Sequence, residues 1–127
     1  MVIKTHKNID ASLCGTPVKL GEGYSLVSLQ TTEEMGVDEA GLVHGGFVFG
    51  MADYAAMIAV NHPHVVLGAA EVKFLKPVRV GDVLMAEARM EKRDEKKQNI
   101  YVRVVRSGEK VFEGNFICYV LKRHVLS

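Results

Sequence analysis

The sequence contains no tryptophan and only three prolines, and aromatic residues make up 7% of it. Its two cysteines, Cys14 and Cys118, stand far apart, and neither belongs to a Cys-x-x-Cys pair. A thiolate zinc site is thereby excluded, and both thiols read as small buried hydrophobes of a reducing compartment. No apolar run reaches the ~20 residues that span a bilayer. Met1–Lys7 lacks the apolar core of a signal peptide, and no Asn opens an Asn-x-Ser/Thr acceptor. Neither sign of charge dominates, since 16 basic residues oppose 15 acidic ones for a net charge of +1. A duplex nucleic-acid binder would carry a basic excess. Phosphate-binding P-loops, dinucleotide fingerprints and serine-nucleophile elbows are missing too. These absences predict a soluble, cytoplasmic chain with no nucleic-acid partner, no membrane partner and no metal.

What remains is ordinary for a folded protein: 48% hydrophobic and 24% charged residues over 127 positions. That length predicts one domain over 1–127, able to bury a core without disulfide or metal staples. Residues 1–23, with Pro17, Gly15, Gly21 and Gly23, read as an irregular segment holding at most a helical turn near Asp10–Leu13. Tyr24–Thr31 is a strand, and Thr32–Val43 a polar loop. Phe47–Val60 is too long and too rich in Ala and Met for a strand, so it is a helix, ended by Asn61-His62-Pro63. It is apolar on every face, which predicts a helix buried all round.

Beyond the helix the hydrophobic period falls from 3.6 to 2. Val65–Val78 is a long strand, with Ala70, Val72 and Phe74 on one face and Glu71, Lys73 and Leu75 on the other. Gly81-Asp82 turns the chain. Val83–Glu91, Asn99–Arg106 and Lys110–Leu121 follow as strands, joined by a charged tip at Lys92–Gln98 and a tight turn at Ser107-Gly108-Glu109. One early helix followed by an antiparallel meander makes an α+β domain. A helix apolar all round needs more cover than one sheet face gives. A sheet curled about it, closed by a second copy of the chain, supplies that cover.

The chemistry concentrates where the helix begins. Gly45 and Gly46 precede it, and the first N–H groups of a helix have no internal partner. Glycine there lets a ligand oxygen approach the backbone, although a tight loop-to-helix turn needs glycine just as well. Asp53 is the only charged residue between His44 and His62. A carboxylate on a buried helix is costly unless solvated, paired or used. Gly46 and Asp53 stand two turns apart on one helix face, which places an oxyanion donor and a base or nucleophile in line. His44 either steers a carbonyl or caps the loop. His62 and His64 read as a turn about Pro63, and His6 and His124 carry no signal.

Two segments carry a resemblance: His44-Gly45-Gly46 with Asp53 seven residues on, and Val72-Lys73-Phe74-Leu75-Lys76-Pro77-Val78-Arg79-Val80-Gly81-Asp82. In this order and spacing they resemble the hotdog-fold acyl-CoA thioesterases, and most of all the branch that includes phenylacetyl-CoA thioesterase, over about Tyr24–Leu121. The resemblance implies a sheet wrapped around the central helix and a dimer joined sheet edge to sheet edge, often paired into a tetramer, with active sites between subunits. It implies hydrolysis of a small or medium acyl-CoA, with no cofactor beyond the coenzyme A of the substrate. Asp53 would be nucleophile or general base, the Gly46 N–H would polarise the thioester carbonyl, and His44 would sit beside it. Gly45 and Phe47 would flank the substrate, and Lys73, Lys76 and Arg79 would meet the coenzyme phosphates. Many relatives place Asn or Gln where this chain has Asp38, and some place Ser or Thr near Leu67-Gly68-Ala69. Asp38 and Glu71 therefore stand as candidate second carboxylates. Similar domains also serve as non-catalytic acyl-CoA sensors, which is the alternative reading.

Overall fold

The computed structural model describes all 127 residues. In chain order the elements are α1 (Ala11–Cys14), β1 (Thr16–Gly21), β2 (Tyr24–Gln30), a 3-10 turn at Glu33–Met35, α2 (Gly45–Val60), β3 (Val65–Phe74), β4 (Val83–Arg93), β5 (Lys97–Arg106) and β6 (Glu109–Val120). All six strands form one antiparallel sheet in the order β1-β2-β4-β5-β6-β3. The sheet wraps around α2, as the resemblance implies, and the architecture is the hotdog fold, α+β in class.

Alternation builds the inner face. Leu84, Ala86 and Ala88 of β4, Ile100, Val102 and Val104 of β5, and Phe112, Phe116 and Cys118 of β6 are all fully buried. Small Ala side chains on β4 let the helix lie close to the sheet. The helix brings Val48, Met51, Ala52 and Tyr54 through Ala59 into the same core. The polar edges of the strands face out, where Tyr24 donates to Glu87 at 2.9 Å and Tyr101 to Glu113 at 2.8 Å. The β5–β6 turn is tight because Ser107 (φ 49°) and Gly108 (φ 79°) both adopt left-handed conformations, the geometry that matches sheet twist.

Three expectations need correction. Residues 1–23 are not irregular throughout: α1 is capped by Asp10, and Thr16–Gly21 pairs with β2. The strand escaped the sequence pattern because it lies at the sheet edge, carries Pro17 beside a bulge and exposes Val18 and Lys19. The third strand stops at Phe74 rather than Val78. Its alternation is reset by a bulge at Gly68, and beyond Phe74 the chain leaves the ladder, with the Leu75 and Lys76 N–H groups both donating to the Val111 carbonyl. The charged tip is also shorter than expected, since β4 runs to Arg93 and β5 starts at Lys97.

β3 pairs only with β6, so its other edge has no partner. Gly68 through Glu71 and Lys73 through Leu75 are exposed there, with Phe74 at 57% and Leu75 at 42%. At the far end of α2, Asn61 takes the left-handed conformation and donates its N–H to the Met57 carbonyl. Its side chain then binds the start of the chain twice: Oδ1 accepts from the Lys4 N–H at 2.8 Å, and Nδ2 donates to the Val2 carbonyl at 2.8 Å.

Candidate active site

The corner that launches α2 is fixed by backbone bonds on both sides. The Val43 N–H donates to the Val78 carbonyl at 2.8 Å, and the His44 N–H to the Met35 carbonyl at 2.9 Å. His44 is the N-cap: its Nδ1 accepts from the Gly46 N–H at 2.7 Å. Nδ1 is therefore unprotonated, and the ring carries its hydrogen on Nε2, free for another partner. The capping alternative for His44 is thus realised. The Gly46 N–H, expected to face a carbonyl, is engaged by this cap. Gly45, whose N–H comes before the helical ladder starts, is the donor left over. Both glycines give close neighbours room. A Cβ on Gly46 would stand 2.8 Å from His44 Nδ1, and one on Gly45 3.0 Å from the Phe74 ring. Phe47 is half-buried and meets the His44 ring edge-on at 6.2 Å.

Asp53 sits at the middle of α2. Burial pushes its carboxyl from 3.8 up to about 6. Oδ1 is buried and has no hydrogen-bond partner in the chain. Two thiols lie within reach of its field. Burial, and then the Asp53 charge, push the Cys118 thiol up to about 12. Burial also raises Cys14, with Asp10 and Asp53 adding to it. Neither thiol is ionised near neutrality, so neither competes with the carboxylate as a nucleophile.

Asp53 opens into a pocket of ≈ 650 Å³. Met57 of the helix and the run Pro63–Leu67 leading into β3 form two walls, and the segment Lys4–Asn8 with the tail residues His124 and Val125 forms the rest. Within that segment His6 holds a left-handed φ of 53°, its Nδ1 lies 2.8 Å from Thr5 Oγ1, and its ring stands 6.4 Å from Tyr54. Burial lowers the pKa of His6, which favours the neutral ring. Sequence reasoning assigned nothing to His6 and His124, and only a turn to His64. The turn exists, since the His64 N–H donates to His62 Nδ1 at 3.0 Å, yet His64 also lines the pocket. The legible signal was Asn61, a helix-ending residue able to clamp a second segment.

The other candidates lie elsewhere. His44, Gly45 and Gly46 do not line the Asp53 pocket, nor do Asp38, Glu71 and Lys73. Asp38 is exposed and its carboxylate accepts from the Leu42 N–H at 3.1 Å, closing its own loop. Glu71 and Lys73 are exposed on β3. Lys76 is ion-paired with Glu109 at 2.8 Å. Arg79 lies in a second groove of ≈ 470 Å³ with Leu42, Pro77 and Arg106. Arg106 is held by Asp82 at 3.2 Å and Glu109 at 2.7 Å, whereas the Arg79 guanidinium has no carboxylate partner. Of the three cations expected to meet phosphate, Arg79 is the one beside the His44 corner, through the Leu42–Arg79 bridge.

Comparison with known proteins gives this geometry a family. A crystal structure of the uncharacterized protein PH1136 from Pyrococcus horikoshii is 55% identical, with a TM-score of 0.99 over 100% of this chain and 98% of that one. The PaaI protein of the E. coli phenylacetic acid degradation operon, 23% identical, shares the fold at a TM-score of 0.81 over 88% and 83% of the two chains. Among curated proteins, a methylthioribose-1-phosphate isomerase of Aquifex aeolicus is 52% identical over 95% of this chain, but this chain spans only 26% of that protein. The transcription factor FapR of Caldanaerobacter subterraneus is 28% identical over 93% of this chain and 60% of its own length. The chain thus matches about a quarter of one relative and three-fifths of the other. Residues 40–113 match the thioesterase superfamily. That span takes in the His44 corner, all of α2 with Asp53, strands β3 to β5 and the start of β6, so the chain belongs to the thioesterase superfamily.

Proposed function

We propose that this chain is an acyl-CoA thioesterase acting in the cytoplasm on small or medium acyl groups. One observation carries the reading: a single carboxyl stands in an apolar helix, its Oδ1 unpartnered, its pKa brought to about 6, and a pocket in front of it. A buried polar atom without a partner is rare in a folded protein and calls for one. A carboxyl near 6 is ionised at neutral pH and still basic enough to take a proton. As general base, Asp53 accepts a proton from water while the water oxygen bonds to the thioester carbon. The carbonyl electrons move onto oxygen, and collapse expels the thiolate, which takes the proton back. As nucleophile, Asp53 attacks the same carbon itself and expels the thiolate to leave a mixed anhydride, which water cleaves to the free acid and the Asp53 carboxylate, the proton released going to the thiolate. In both, the helix start supplies N–H donors for the oxyanion, with Gly45 the free donor and His44 Nε2–H a second.

In this reading the Asp53 pocket and the His44 corner are halves of composite sites completed by a second copy of the chain. The open edge of β3, with exposed Phe74 and Leu75, is the surface that favours such a dimer, and pairs of dimers extend it. Arg79 is the first candidate for the coenzyme phosphates.

Thiol release across an acyl-CoA panel tests the activity. Asp53→Asn keeps the shape and removes the base or nucleophile. Its kcat should fall at least about a hundredfold, within the ~10²–10⁴-fold range of general-base loss. A variant as active as the wild type would transfer the role elsewhere. The similarity to FapR favours a second reading, in which the domain binds acyl-CoA without turnover. Binding with no thiol release by the wild type would select it.

A further inference from the structure

The Asp53 pocket is polar where a plain alkyl chain would call for apolar walls. Lys4, Lys7, His64 and His124 line it, and Asp53 is its only acidic side chain. Neither Lys4 nor Lys7 is ion-paired. His64 Nδ1 is buried there without a partner, the second such orphan in one pocket beside Asp53 Oδ1. The two orphans stand at different depths. Asp53 precedes the last helical residue, Val60, by seven positions, roughly 10 Å along the axis. His64 lies beyond the helix end, held by its N–H to His62 and by its carbonyl, which accepts from the Leu121 N–H at 3.2 Å. Lys4 is tied to the same end through Asn61. The partial negative charge of the helix C-terminus opposes an anion there, but about half a charge is outweighed by two lysines.

We propose that this pocket selects acyl groups that end in a carboxylate. The thioester carbonyl lies at Asp53, and the distal carboxylate meets His64 and the lysines of the N-terminal segment. An alkyl terminus would leave the buried His64 Nδ1 without a partner, whereas a carboxylate can meet that ring and the exposed ammonium groups of Lys4 and Lys7 at once. The chemistry rests on the thioesterase reading, and the binding preference does not.

The test pairs glutaryl-CoA with pentanoyl-CoA and adipyl-CoA with hexanoyl-CoA, equal in chain length and different in terminal charge. KM is read from thiol release by the full chain, and Kd from calorimetry, both at low salt. The dicarboxylic member of each pair should bind at least tenfold more tightly. Lys4→Met with Lys7→Met should cut that preference to about twofold or less, and Lys4→Arg with Lys7→Arg should restore it. The same series is repeated with pantetheine thioesters, which lack the nucleotide phosphates. A preference that persists there supports the proposal. One that disappears assigns the lysines to coenzyme phosphate and overturns it, as does equal or tighter binding of the neutral acyl groups. A chain that hydrolyses nothing yet binds adipyl-CoA tenfold more tightly than hexanoyl-CoA keeps this proposal and defeats the catalytic one.

Discussion

Asp53 owes its chemistry to its neighbours on the helix. Met51, Ala52 and Tyr54 through Ala59 are buried, and burial alone raises its carboxyl pKa. The sign of the pH dependence follows. The folded-state pKa lies near 6, above the ordinary 3.8, so the ionised form that the proposed mechanism requires dominates only above about pH 6. Below that value kcat/KM should drop about tenfold per pH unit, and above it the rate should stay flat through neutrality. Measurement from pH 4.5 to 8 checks this, and a profile level down to pH 4.5 would remove Asp53 from the role of base. Asp53 was legible in the sequence because it is the lone charge in an apolar run. Lys4, His6, His64 and His124 were not, because tertiary contacts bring them to it. No periodicity links Lys4 to Asn61, 57 positions away.

At the scale of elements, the pocket wall depends on one helix cap. Asn61 ends α2 and holds Val2 and Lys4. Replacing it with Ala removes both hydrogen bonds and places a side chain that disfavours the left-handed region at φ 53°. Asn61→Gly keeps the backbone conformation and loses only the clamp, each bond being worth ~1 kcal/mol. Both variants should be nicked by trypsin after Lys4 and Lys7 several times faster than the wild type. Mass spectrometry of timed digests reads this directly, and unchanged rates would mean that the clamp does not hold the segment. The helix itself and strands β4 to β6 were legible, since sixteen helical residues include one charge and the strands alternate cleanly. β1 was hidden by Pro17 and its exposed side chains, and the end of β3 by the bulge at Gly68.

For the whole molecule, the proposed assembly rests on the open edge of β3. Charged side chains are a common means by which sheet edges resist pairing. Phe74→Lys with Leu75→Lys should therefore convert an assembly of two or more chains into a 14.0 kDa monomer by light scattering. Thioester hydrolysis should be lost with it if each site is, as proposed, shared between two copies. A wild type that is monomeric at micromolar concentration would contradict the shared-site reading.

The order of the strands also has a kinetic consequence. β4, β5 and β6 are neighbours in both chain and sheet, joined by short turns, and can zip together locally. β3 precedes all three in the chain yet pairs with the last, so its docking must close a loop that contains β4 and β5. Such closure is slow relative to hairpin formation, because chain entropy is lost before the distant contacts form. β3 therefore joins late in folding, and Val65–Leu67 arrive with it. The pocket at Asp53 exists only once β3 is in place, so chains without that strand docked cannot hold a ligand there, and a ligand that fills the pocket slows the unfolding of β3.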